Sequence, residues 1–150
     1  MIISKPGIKK IKMVLDKEGL SKDLAVTIVG RTKGDYFLDV DVINKVSNTT
    51  GKVKIYGVAE NGARVIVSGM VKIEKGICKI DDFLEIRLLI LDDISEATAD
   101  PQLEIESDDV KASHAATVSK IDEEQIFYLQ SRGVDRSKAC DLIVEGFLKN

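Results

Sequence analysis

The sequence predicts a mainly β chain that ends in a pair of short helices. Two observations carry this. From Leu24 to about Glu106, apolar and polar residues alternate in short runs broken by Gly, Asn, Asp and Ser, the period of half-buried strands. After Ser119 the period lengthens, and an aspartate precedes each of two apolar-faced segments, as helix N-caps do. A length of 150 residues fits one ordinary domain whose core needs neither metal nor disulfide.

In chain order, Ile8, Ile11, Val14 and Leu15 have a spacing that makes a short amphipathic helix, bracketed by Pro6-Gly7 and Gly19. A loosely docked segment is the alternative reading of residues 1–21. Strands are then expected at Ala25–Val29, Tyr36–Ile43, Lys52–Val58, Ala63–Val67 and Met70–Ile73. Further strands are expected at Ile77–Ile80, Leu84–Ile90 and Gln102–Glu106. Asn61-Gly62 suits a tight hairpin turn, because both residues tolerate positive φ. Many short strands at near-regular spacing suit a solenoid equally well, and periodicity alone does not separate a sandwich from a β-helix. Asp122, with Gln125 three residues on, forms a capping-box pattern, and Glu123 and Glu124 complement the helix dipole. Gly133 follows as a C′ residue, and Asp135 caps a second helix from Arg136 to about Leu148. The division is residues 1–121 for the β part with its N-terminal segment and 122–150 for the helical hairpin, within one folding unit.

Composition narrows function. A net charge of −3, aromatics at 5% and no Trp leave no basic face or stacking platform for nucleic acid. No apolar run approaches the ~20 residues of a membrane span, and no apolar stretch follows Lys9, Lys10 and Lys12 to form a leader. The expectation is a cytoplasmic protein with no membrane or nucleic-acid partner. Cys78 and Cys140 lack CxxC pairing, and two isolated thiols with one histidine do not make a closed zinc site. His114, the single histidine, has no Ser or Cys partner motif for nucleophilic catalysis. The chain reads as no enzyme with its own catalytic centre. Between small residues, His114 is either a structural hydrogen-bonder or a metal ligand, since imidazole suits iron as well as zinc. Glu104, Glu106, Asp108 and Asp109 read first as a solvated acidic face.

One stretch adds a resemblance. Pro101-Gln102-Leu103-Glu104-Ile105, Asp108-Asp109-Val110, Ser113-His114 and Ala116-Thr117-Val118 lead into Ile121 to Leu129 and then Ser131-Arg132-Gly133. The tail Ala139 to Phe147 and, more diffusely, Asn48 to Ile73 complete it. Together they resemble the B/D scaffold subunits of the SUF iron–sulfur cluster assembly system, the D type especially. The resemblance implies a right-handed parallel β-helix followed by the C-terminal α-helical hairpin. It implies pairing through the β-helix, as a homodimer or a B/D-type heterodimer, and docking of an ABC-type ATPase through the C-terminal helices. By position, His114 matches a histidine implicated in handling iron or a transient iron–sulfur cluster shared with a partner subunit. Gln125, Phe127, Tyr128, Arg132 and Gly133 fall in the ATPase-contacting region. The chain departs from the B type in having Ala115 after the histidine and no thiol near Leu84-Glu85-Ile86-Arg87. These departures sustain a second reading, a structural or oligomerising β-solenoid without a cluster role. A short β-helix exposes an open end with unpaired edges, which a partner or a cap must cover.

Overall fold

The computed structural model describes residues 1–149. The strands are β1 (Ile2–Ile3), β2 (Gly7–Leu15), β3 (Ser21–Gly30), β4 (Gly34–Asn44), β5 (Thr49–Ala59), β6 (Ala63–Ile73), β7 (Ile80–Ile90), β8 (Glu96–Ile105) and β9 (Val110–Lys120), followed by the helices α1 (Glu123–Ser131) and α2 (Arg136–Lys149). Odd strands form one sheet, β1-β3-β5-β7-β9, and even strands another, β2-β4-β6-β8. Every pairing is parallel. The chain alternates between the two sheets and winds through about four turns of a β-solenoid.

Period-two alternation sends one side of each strand inward, where Val26, Ile55 and Ile86 of one sheet face Val40, Val67 and Val71 of the other in a single core. Two glycines make room for large inward residues in this bore, Gly69 for a leucine reaching across from the other sheet and Gly57 for one on the neighbouring strand. A Cβ on Gly69 of β6 would stand 2.7 Å from Leu84 Cδ2, and one on Gly57 of β5 2.8 Å from Leu88 Cδ2. The bore is therefore filled by side chains.

Several expectations change, and the strands expected at Ala63–Val67 and Met70–Ile73 are one, β6. Residues 7–15 are a strand, because Ile11, Met13 and Leu15 alternate with outward residues and pair with Val40, Val42 and Asn44 of β4. Ile8, which the helical spacing counted as inward, is 70% exposed. Asn61-Gly62 does make a tight turn with positive φ (59° and 76°), but it carries the chain from one sheet to the other and so turns a corner of the solenoid. Ile77–Lys79 belong to the turn before β7, with Lys79 at φ 56°.

Corners stack as the strands do. Gly19 N–H donates to Asn48 C=O, Asn48 N–H to Cys78 C=O, and Lys79 N–H to Asp109 C=O, at 2.9, 3.0 and 2.7 Å. On the opposite corner Asn61 bridges two turns, donating from Nδ2 to Arg31 C=O and from its N–H to Asp92 Oδ2.

The helical hairpin closes the described chain. Asp122 caps α1 by accepting from Glu124 N–H at 2.9 Å, one residue earlier than the capping-box pattern implies. The Glu123 carboxylate instead receives both guanidinium nitrogens of Arg136 on α2, which hold its carboxyl below the usual range. Gly133 takes φ 84° at the α1 terminus, and Asp135 Oδ1 accepts from Lys138 N–H at the start of α2. Val144 packs with Phe147 and Leu148 against Val58 and Leu89 on the outer face of the odd sheet. Among the described residues no helix is long and apolar enough to cross a membrane. Asn150, the last residue of the expected helical segment, lies outside the described residues.

Candidate functional site

The solenoid ends in an open coil. On β9, residues Val110, Ala112, His114, Ala116 and Val118 stand in register over the buried Ile80, Asp82, Leu84, Ile86 and Leu88 of β7. On β8, Ala97, Ala99, Pro101, Leu103 and Ile105 stand over the inward residues of β6. Registered neighbours in a sheet share a face, so these two rows are the last layer of the bore. Among the described residues no further layer covers them: Ile105 and Val118 are each 42% exposed, and His114 is exposed. His114 is thus an imidazole on an apolar rim, directly above Leu84.

The two terminal strands differ at their free edges. Backbone groups alternate direction along a strand. Ile121 N–H donates to Ile90 C=O, so odd residues of β9 face β7. The N–H and C=O groups of Ala112, His114, Ala116 and Val118 are left at the free edge. Glu106 N–H donates to Ile73 C=O, so even residues of β8 face β6 and Pro101 faces outward. Proline has no N–H to offer there, which blunts this edge. Between Lys111 and Lys120, β9 carries no charge and no proline, and all of Ser113 to Ser119 are exposed.

The acidic residues nearby do not converge. Glu104 pairs with Lys72, Asp93 with Lys120 and Glu96 with Arg64. Among the described residues no three of His, Cys, Asp and Glu are grouped to hold a metal. Cys78 is half-buried in the turn before β7, its N–H donating to Ser47 Oγ at 3.0 Å. Cys140 is half-buried on α2, where burial pushes its thiol up from the ordinary value. Among the described residues His114 thus belongs to no group of three potential metal ligands.

A second exposed surface lies on the helices. Gln125, Tyr128 and Arg132, spaced three and four apart, share one face of α1. Gln125 and Tyr128 line an open groove of about 400 Å³ with Asp122, Glu124, Leu129 and Ile143. The Arg132 guanidinium lies 5.3 Å from the centroid of the Tyr128 ring. Phe127 points away from that face and is 73% exposed, so the expected ATPase-contact residues fall on two sides of α1. Gly133 only ends the helix.

Two features escaped the sequence reading. The Arg87 guanidinium sits 5.5 Å from the centroids of both Tyr56 and Phe147 and so joins α2 to β5 and β7. Tyr56 also donates to Glu85 Oε2 at 2.8 Å, and burial, with that bond, pushes its hydroxyl up. The other is Asp82, a carboxylate inside the bore at 1% exposure. Its signal was present, since Asp82 has the same parity as Ile80, Leu84 and Ile86.

Comparisons with known proteins identify the family. The family model described as "SUF system FeS cluster assembly, SufBD core domain" matches residues 3–147. The iron–sulfur cluster assembly protein SufD of Bacillus subtilis is 34% identical over 131 residues, which is 87% of this chain and 30% of that protein. The SufD of Escherichia coli is 38% identical over 90 residues, 60% of this chain and 21% of that protein. An iron–sulfur cluster assembly SufBD family protein of Staphylococcus epidermidis is 33% identical over 147 residues, 97% of this chain and 31% of that protein. The chain thus spans about a third or less of the length of these relatives. With the family model covering nearly every coil and both helices, the chain belongs to the SufBD core family of the SUF iron–sulfur cluster assembly system and is D-like within it.

Proposed function

We propose that this chain works in the cytoplasm as a scaffold subunit of iron–sulfur cluster assembly. It pairs with a second SufBD-type subunit along β9 and over the open bore. It offers the α1–α2 surface to an ABC-type ATPase and brings His114 to iron or a transient cluster shared with its partner. The observation that carries this reading is the edge of β9, eleven residues long, uncharged in its middle and lying beside an exposed apolar layer. Proteins blunt such edges unless another strand covers them, and added strands bind through main-chain hydrogen bonds. The test is co-purification with a SUF-type ATPase and a SufB-type subunit, for the full chain and for a chain ending at Ile121. The full chain retains the ATPase and the shortened chain loses it while still pairing through β9. Absence of ATPase binding by the full chain overturns the docking. His114→Ala lowers the iron content of the complex without altering its assembly, and unchanged iron content removes the histidine from the cluster role.

The second reading, a solenoid that pairs but handles no cluster, is favoured by the isolation of His114 and the missing thiol on β7. Anaerobic reconstitution with iron and sulfide separates the two. A protein that stays colourless alone and with its partners supports the second.

A further inference from the structure

Asp82 is buried in the bore, one rung below Ala112 of the open coil, at the end of a chain of hydrogen bonds whose other members are uncharged. Gly51 N–H donates to Asp82 Oδ1 at 2.7 Å, and Asn44 Nδ2 donates to Asp82 Oδ2. Asn44, itself fully buried, accepts at Oδ1 from Thr49 Oγ at 2.8 Å, and Val46 C=O lies 3.4 Å from the same hydroxyl. Position 51 has to be glycine for this arrangement, since a Cβ there would stand 2.8 Å from Asp82 Oδ1.

Among the described residues no cation pairs with the carboxylate. On β3, Lys22 stands in the same inward column beyond Gly51 but donates its Nζ to Val14 C=O. Lys52 on β5 and Lys111 on β9 are outward, and Asp81, the adjacent residue on β7, adds repulsion. Burial therefore raises the Asp82 carboxyl above the ordinary aspartate range, against the pull of its bonds from Asn44 and Gly51.

We propose that Asp82 is a proton switch with two discrete hydrogen-bond arrangements, which sets the stability of the last coils of the solenoid. With the carboxylate ionised, the donors run from Thr49 to Asn44 to Asp82. When Asp82 takes up a proton at Oδ2, that hydroxyl becomes a donor and faces the Asn44 amide. The amide turns over, so that Asn44 Oδ1 accepts from Asp82 and Asn44 Nδ2 donates to Thr49 Oγ. The Thr49 hydroxyl proton swings to Val46 C=O. Gly51 N–H keeps its bond throughout, and no buried group is left unpaired. The switch thus runs from the rung under the open coil to the turn between β4 and β5. Its folded carboxyl titrates above the unfolded one, so its stabilisation is complete below the unfolded value. That stabilisation is lost as pH rises through the folded one.

The experiment is an NMR titration of the full chain that follows the Asp82 carboxyl carbon and the side-chain amide of Asn44. We expect an Asp82 midpoint above the ~3.9 of an unperturbed aspartate, with the Asn44 signals moving at the same midpoint. In Asp82→Asn, the Asn44 signals stay fixed near their low-pH wild-type position. Exchange of the Gly51 amide, corrected for its intrinsic rate, speeds up to about tenfold per pH unit between the two titration values, and does not in Asp82→Asn. An Asp82 midpoint at or below the ordinary value, or Asn44 signals that ignore the titration, overturns the proposal. The wild-type titration decides by itself if Asp82→Asn does not fold.

Discussion

Leu84 and Gly69 offer a direct test of whether the bore beneath His114 is solid. Leu84, 1% exposed on β7, is the register partner of His114 and reaches across the bore onto Gly69 of the other sheet. A methyl at position 69 would stand 2.7 Å from Leu84 Cδ2, 3.3 Å from Cδ1 and 3.5 Å from Cγ. Gly69→Ala thus forces the leucine or both sheets to shift, an overpacking that costs about 1–3 kcal/mol. The lost freedom of the unfolded chain returns about 0.4–1 kcal/mol, leaving a net destabilisation of about 1–2 kcal/mol. Leu84→Ala removes the same contact from the other side and costs about 2–5 kcal/mol.

Combined, the two substitutions no longer clash, and the new methyl occupies part of the space the leucine vacated. The double variant is expected to be more stable than the sum of the single effects predicts, by at least about 1 kcal/mol. Urea unfolding of the four proteins measures this, provided the slopes agree. A coupling below about 0.5 kcal/mol, the scatter expected of independent sites, would refute a leucine crossing the bore onto Gly69.

Two further predictions concern the edges of the fold. Arg87→Ala removes both ring contacts of the guanidinium, worth about 0.5–1 kcal/mol each. It should lower hydrogen-exchange protection in α2 while leaving that of β3 and β5 unchanged, and equal protection in the variant would show that Arg87 does not hold the helix. At Asp92, burial alone would raise the carboxyl, but bonds from Ser95, Asn61 and Ile94 outweigh it and hold the carboxyl below the ordinary value. A depressed folded value means stability present above the unfolded pKa and lost as pH falls through the folded one. The Asn61 and Ile94 amides should therefore lose protection in acid, opposite in sign to the trend expected at Asp82, and protection that holds below the ordinary aspartate value contradicts this.

Where the sequence was informative, one physical signal dominated. Tyr36 to Asn44 alternates cleanly because one face of the strand meets the core and the other meets water, and the strand was plain. The N-terminal strand was misread because Ile8, Ile11, Val14 and Leu15 mimic helical spacing, while only three of the inward residues of β2 reach the core. β9 went unrecognised as a strand because Ala112, Ala115 and Ala116 supply neither alternation nor β propensity. The repeat was hidden too. Register steps of 29 residues from Gly7 to Tyr36 and from Gly34 to Ala63 become 32 from Arg64 to Glu96, as the turns before β7 and β8 lengthen. The helices were clear from Asp122, Gly133 and Asp135, whose capping roles depend only on near neighbours. The open end was not, because an exposed edge is a property of topology.

That topology bears on how pairing and metal contact relate. The side chain of His114 faces the bore, and its backbone N–H and C=O face the free edge of β9. A strand added to that edge would lie about 4.8 Å away and would bond to the backbone of His114 itself. Its inward residues would extend the same layer of the bore, beside the imidazole. If β9 pairs with a second subunit, a ligand completing a site at His114 would come most directly from that added strand, since among the described residues no three potential ligands are grouped. Substitutions that disturb pairing at Ala112 or Ala116 should reduce iron retention even with His114 intact, whereas His114→Ala should spare pairing, because the strand bonds only to its backbone. The asymmetry separates an edge that builds the site from a side chain that occupies it.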